Sequence, residues 1–173
     1  RFIAAWNPIN NKLQIEAGFQ KHLPGLLDQF SHFIVSGFHI LSETYPDGTN
    51  WLDYLRPVAR FLRETKKSYP HLQFHYEFAS IASAAVRQGI VDYVLPTVDS
   101  LGLNEVELCA ILRDQHEDGL AKDIEAHSSM AAVLRGLERL ADSTGLRRIQ
   151  LHDLGYYLAL VDAEFITGEE CRD

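Results

Sequence analysis

Two acidic motifs stand where apolar runs give way to helices: His75-Tyr76-Glu77-Phe78-Ala79-Ser80 and Leu101-Gly102-Leu103-Asn104-Glu105-Val106-Glu107. Apolar runs of this kind are the pattern of buried parallel strands, and parallel α/β sheets bind ligands beyond the carboxyl ends of their strands. Glu77 and Glu107 are therefore expected at one rim of a sheet. Two carboxylates beside helix N-termini suit a hydrated divalent cation and, through it, the phosphates of a nucleotide. The chemistry to which they point is phosphoryl transfer.

Each motif also has a duller explanation. Asn104 followed three positions later by Glu107 is close to a capping box, and taken alone a cap is the commoner role. A phosphate at that helix start would be repelled by Glu105 and Glu107 unless a cation such as Mg2+ lies between. Strand alternation puts His75 and Glu77 on one face and Tyr76 on the other, which a local ion pair also explains. A glutamate buried in an apolar strand still needs a partner, and a metal or a phosphate-bound water would serve.

Ser36-Gly37-Phe38-His39 ends another apolar run, so Gly37 and His39 are expected at the same rim, where His39 can hydrogen-bond a hydroxylated substrate. Its duller account is a surface loop histidine. His152 closes the run Ile149-Gln150-Leu151 and without further context reads as structural. The chain has 8 histidines, but none shows the helical pairing with an acid that marks a zinc protease. It contains no glycine-rich phosphate loop with a following lysine, no dinucleotide fingerprint and no Gly-x-Ser-x-Gly elbow.

The elements that must position these residues follow from hydrophobic period. Strands are expected at Phe2–Trp6, His32–Gly37, Leu72–Phe78, Ser100–Leu103, Arg147–His152 and Tyr156–Val161, the last two as a hairpin about Asp153-Leu154-Gly155. Between them, Phe19, Leu23, Leu26, Leu27 and Phe30 recur at helical spacing, with Pro24 and Gly25 as a kink. After the loop Thr44–Asn50, Asn50 is placed to cap a helix carrying Leu52, Leu55, Val58, Ala59 and Leu62. Further helices are expected at Ala82–Tyr93 with Ala85, Val86, Ile90 and Val94 inward, at Glu105 to about Leu112, and at Met130–Leu140 with Val133, Leu134, Leu137 and Leu140 inward. Asp114–His127 reads as charged and irregular. Strands alternating with helices predict an α/β fold, a mostly parallel sheet with helices on both faces.

Composition narrows the class. At 173 residues the chain has the size of one ordinary domain, and 46% hydrophobic residues suit a globular core. A formal charge of -8 argues against nucleic acid or an anionic membrane as partner. Only Cys109 and Cys171 are present, which suits a reducing, cytoplasmic setting. No apolar stretch reaches the length of a membrane span. Arg1 opens directly into Phe2-Ile3-Ala4, so the chain is expected to be a fragment that starts inside a strand.

Taken in order, Arg1-Phe2-Ile3, Ile34-Val35-Ser36-Gly37-Phe38-His39, His75-Tyr76-Glu77-Phe78-Ala79-Ser80 and Leu95 through Glu107 resemble the ADP-dependent sugar kinases, the glucokinases and phosphofructokinases of the ribokinase-like superfamily. The resemblance continues weakly through Leu151-His152 and Tyr156-Tyr157-Leu158. It implies a ribokinase-like (Rossmann-like) core, with residues 1–173 as a single α/β domain forming part of a larger kinase. It also implies Mg2+ positioned by Glu77 and Glu107, nucleotide contacts from Arg1, Asn104 and His152, and sugar contacts from Gly37 and His39. The implied partners are ADP and a sugar, glucose or fructose 6-phosphate, with AMP as product.

In that family an aspartate of a Gly-x-Gly-Asp motif is the general base, and no such motif occurs here, so the 173-residue piece alone is expected to be inactive. The phosphofructokinase branch tends to carry a basic residue shortly after the Arg-Phe-Ile segment. Trp6-Asn7 stands in its place and favours glucose, whereas Tyr45-Pro46-Asp47-Gly48 looks more like the phosphofructokinase branch. A non-catalytic sugar or nucleotide binder and an ATP-dependent ribokinase-like enzyme remain open alternatives.

Overall fold

A computed structural model describes residues 12–127 and 129–164, with the backbone alone at His127. The first expected strand, Phe2–Trp6, lies outside the described residues, as do Arg1 and Cys171.

The short helices α1 (Ala17–His22) and α2 (Pro24–Leu27) lead into β1 (His32–Val35). The interruption expected at Pro24 and Gly25 is a full break into two short helices, with Pro24 at the first position of the second, because its ring cannot continue the preceding turn. Leu23 and Leu27 are buried, while Phe19, Leu26 and Phe30 are exposed. Then come α3 (Trp51–Ser68), β2 (Gln73–Glu77), α4 (Ala84–Tyr93), β3 (Ser100–Leu103), α5 (Glu105–Asp114), α6 (Asp118–His127), α7 (Met130–Thr144), β4 (Arg148–His152) and β5 (Tyr157–Val161). The five strands form one sheet in sequence order, parallel from β1 to β4, with β5 antiparallel at the edge.

That order decides which face is covered. Each parallel crossover is right-handed by strong preference, so strands laid down successively in one direction carry their helices on the same side. In register, Phe74, Tyr76, Leu101, Leu103, Ile149 and Leu151 share that side and are fully buried. The opposite face carries His75, Glu77, Gln150 and His152, all part-exposed. Helices on both faces were expected; among the described residues they cover one, because strand order rather than alternation sets the layering.

Three helical readings also change. Asp118–His127 is helical, not irregular: Ala121 and Ile124 are fully buried, while charged neighbours pair across to adjacent helices, as Asp123 does with Arg135 and Glu117 with Arg139, both at 2.6 Å. Left-handed His116 (φ 64°) makes the break between α5 and α6. In α7 the buried stripe is Ala132, Val133, Gly136, Leu137 and Leu140, so Leu134, a third of a turn beyond it, is exposed. In α4, Val86 and Ile90 are buried and Ala85 is exposed.

Candidate functional site

The carboxyl ends of β2, β3 and β4 bring the first set of polar groups together on the open face. Glu77 is the last residue of β2, and its Oε2 accepts a hydrogen bond from His75 Nε2 at 3.1 Å. The other nitrogen of that ring, Nδ1, shares a 2.7 Å hydrogen bond with the Ser100 hydroxyl on β3. Glu77 Oε1 lies 3.7 Å from Nε2 of His152, the last residue of β4. Between them runs Gly102, in register with Glu77 on one side and Gln150 on the other. A Cβ at Gly102 would stand 2.1 Å from Glu77 Oε2 and 3.0 Å from His75 Nε2. Glycine thus leaves the space in which the carboxylate crosses β3, above a recess of about 310 Å3 lined also by Tyr157 and Ala159.

Glu107 is set differently, at the third position of α5. Its Oε2 accepts from the Asn104 N–H at 3.0 Å, while its own N–H donates to Asn104 Oδ1 at 3.0 Å, which closes a capping box. The remaining oxygen, Oε1, accepts a weak 3.4 Å hydrogen bond from the Ser80 hydroxyl. Burial pushes the Glu107 carboxyl above its usual range; the Asn104 N–H, Ser80 and His152 oppose that shift, and the charge of Glu77 adds to it. The two acids therefore lie within electrostatic reach of each other, each held by its own partners. Glu107, 5% exposed, is the buried glutamate; Glu77, expected to be the buried one, is 41% exposed at its side chain because it ends the strand on the open face.

The segment carrying Ser80 is clamped. Arg87 donates from Nη1 to the carbonyls of Ile81 (2.6 Å) and Ala82 (2.9 Å), and its Nε and Nη2 grip Asp114 at 2.6 and 2.9 Å. Glu105, the first residue of α5, accepts a hydrogen bond from the Tyr156 hydroxyl, which ties the turn between β4 and β5 to that helix start. On the covered side, Tyr76 packs edge-on against Phe38 and Phe78, and its buried hydroxyl has no hydrogen-bond partner among the described residues.

Gly37 and His39 follow the carboxyl end of β1, the strand beside β2, and so stand at the same edge of the sheet. Gly37 takes a left-handed conformation (φ 100°) that favours glycine, and it opens the single turn Phe38–Ile40 that carries exposed His39. Ser36 donates to the Glu77 carbonyl at 3.1 Å, which joins this turn to the end of β2. Glu77, Glu107, Asn104, His152, Gly37 and His39 thus share one edge. Arg1 lies outside the described residues. Cys109 is buried, and burial pushes its thiol up to about 11, so it is an unreactive packing group.

Ser100, Gly102, Arg87 and Tyr156 were not singled out by sequence. For Gly102 a signal existed, since a glycine inside a strand often marks close approach of another group. The other three make contacts between residues far apart in the chain, which no local spacing encodes.

Among the described residues no group of three or more His, Cys, Asp or Glu side chains could by itself hold a metal ion. The donors at this edge are two carboxylates, one of them buried with its pKa raised. Such a set fits Mg2+, which keeps several waters and completes its shell with phosphate oxygens, better than an ion that needs a cage of protein ligands.

The sequence profile of the family described as the ADP-specific Phosphofructokinase/Glucokinase conserved region matches residues 1–171. The chain is 33% identical over 176 residues to the ADP-dependent glucose/glucosamine kinase of Pyrococcus furiosus, covering all of this chain and 36% of that protein. It is 28% identical over 170 residues to the ADP-specific phosphofructokinase of Thermococcus zilligii, covering 98% of this chain and 37% of that one. Among solved structures, an ADP-dependent kinase in complex with fructose 6-phosphate and ADPβS superposes with a TM-score of 0.79 at 28% identity, over 86% of this chain and 33% of that one. The chain thus spans about a third of the length of the relatives it matches.

Proposed function

The chain belongs to the family of ADP-specific phosphofructokinases and glucokinases, and on that premise we propose that the whole protein transfers the terminal phosphoryl group of ADP to a sugar hydroxyl and releases AMP. The observation that carries this reading is the meeting of Glu77 and Glu107 at one sheet edge, where the charge of Glu77 adds to the cost of charging the buried Glu107. A cation relieves that repulsion. Glu77 and Glu107 would hold a hydrated Mg2+, which when bound neutralises charge on the transferring phosphoryl group.

The chain's own residues position the rest. Asn104 fixes the start of α5, and so the place of Glu107, through the capping box. Arg87 holds the segment from which Ser80 reaches the Glu107 carboxylate. Arg1, Asn104 and His152 are assigned to the nucleotide, Arg1 to its phosphates, and Gly37 and His39 to the sugar. Residues 1–173 are read as one α/β domain of a larger cytoplasmic enzyme. No helix of the described residues is long and apolar enough to cross a membrane.

Glucose is favoured as acceptor. Trp6-Asn7 offers no cation for a sugar phosphate, and identity is higher to the glucose/glucosamine kinase than to the phosphofructokinase. Fructose 6-phosphate is the second reading, supported by the close superposition on a kinase holding that sugar. AMP formation by the whole protein, given ADP and Mg2+ with each sugar in turn and then ATP in place of ADP, tests both. Faster turnover on glucose with ADP is the expected result. Ligand binding by calorimetry with no AMP from either sugar would make the protein a binder instead. The 173-residue piece, lacking a Gly-x-Gly-Asp motif, is expected to form no AMP alone.

A further inference from the structure

The open face of the sheet holds a polar chain that runs from a buried hydroxyl to the Glu77 carboxylate. Ser100 and His75 are register partners on β3 and β2, and they point to the same face as Glu77 and Gly102. Ser100 is 6% exposed, and its hydroxyl makes a 2.7 Å hydrogen bond to His75 Nδ1. Nε2 of the same ring lies 3.1 Å from Glu77 Oε2.

The direction of these bonds follows from their chemistry. An ionised carboxylate only accepts, so Nε2 must carry the proton that Glu77 receives as a hydrogen bond. In the neutral ring Nδ1 is then an acceptor, and the hydroxyl of Ser100 must donate to it. The hydrogen bond at one imidazole nitrogen decides which tautomer the other presents. Gly102 contributes space: its missing Cβ would crowd both His75 Nε2 and Glu77 Oε2.

We propose that Ser100 is a positioning residue whose hydroxyl fixes His75 as the Nε2–H tautomer, so that His75 holds the Glu77 carboxylate over Gly102. This rests on the reading of Glu77 as one of the acids at the phosphate site. Groups that orient a ligating carboxylate typically change metal affinity or activity when removed, and here the orienting group acts through a ring rather than directly. Neither Ser100 nor His75 need touch the substrate.

The test is made on the whole protein with 15N-labelled histidine, at about pH 8.5, where an ordinary imidazole is neutral. Ring 15N shifts of His75 are expected to show Nε2 protonated and Nδ1 unprotonated in the wild type. Ser100→Ala is expected to lose that preference and to raise the Mg2+ concentration for half-maximal rate by about tenfold. Ser100→Thr, which keeps the hydroxyl, is expected to restore both. A wild-type ring protonated at Nδ1 overturns the proposal even if the variants fail to fold. So does a Ser100→Ala protein with unaltered tautomer and Mg2+ dependence. Should the wild type form no AMP at all, the kinase reading fails, while the ring shifts still decide the role of Ser100.

Discussion

The starts of α3 and α5 carry the same local device and lie in different surroundings. At α3 the Leu52 N–H donates to the Asn50 side chain, and Asp53 accepts from the Asn50 N–H at 2.8 Å; at α5 Asn104 and Glu107 form the corresponding box at 3.0 Å. Asp53 is exposed, whereas Glu107 is buried, has its pKa raised, and offers its second oxygen to Ser80 within reach of Glu77 and His152. A cap needs one acceptor oxygen and tolerates any solvent-facing acid. A carboxylate kept beside a second carboxylate under the cost of burial is placed for something other than capping.

The sharpest way to break this comparison is Glu107→Gln. Glutamine keeps the accepting oxygen of the box, so thermal stability should hold or rise, while ADP-dependent phosphoryl transfer by the whole protein should fall by about a hundredfold or more. An unchanged rate would reduce α5 to a second α3. Asp53→Asn is the matching control, and its rate should be unaltered.

Next in size is Gly102→Ala. The new Cβ meets the mobile end of Glu77 rather than backbone, so the fold should survive. The displaced carboxylate should cost about tenfold to a hundredfold in rate, recovered in part at high Mg2+. Loss of stability without any change in Mg2+ dependence would count against a role for Glu77.

Smaller still, Asn50→Ala and Asn104→Ala should each lower unfolding free energy by about 1 kcal/mol in denaturant titrations. Only Asn104→Ala should also slow turnover.

The smallest effect is on pH dependence. Folding raises the Glu107 pKa above 4.5, so its protonated form is the one folding favours. The corresponding stability is complete below pH 4.5 and is lost as pH rises through the raised value. Glu107→Gln should remove this component from the stability profile, and Asp53→Asn should leave it in place.

Much of this was legible in the sequence where one period dominates. The strands ending at Glu77, Leu103 and His152 and the stripe Leu55, Val58, Ala59 and Leu62 of α3 fall where hydrophobic spacing puts them. The acids at one sheet edge followed from the rule that such strands end together. α6 was obscured because its charges outnumber its few fully buried apolar residues, Ala121 and Ile124. Single-sided helix cover was not legible, since periodicity tells which residues of a strand are inward but not which strand lies next to it. The Ser100–His75 bond joins positions 25 apart in sequence, and pairing of that kind appears only once register is known.

The strand order has a consequence for how the molecule assembles. Every strand pairs with the one that follows it in sequence, and the widest gap, from β3 to β4, is filled by three helices, with α5 and α7 both packed on α6. Among the described residues no pairing has to wait for a distant part of the chain, so the entropic cost of closing loops stays low and the sheet can grow by one unit at a time. A chain leaving the ribosome could complete β1 to β3, and with them the hydrogen bonds from Ser100 through His75 to Glu77, before β4 has been synthesised.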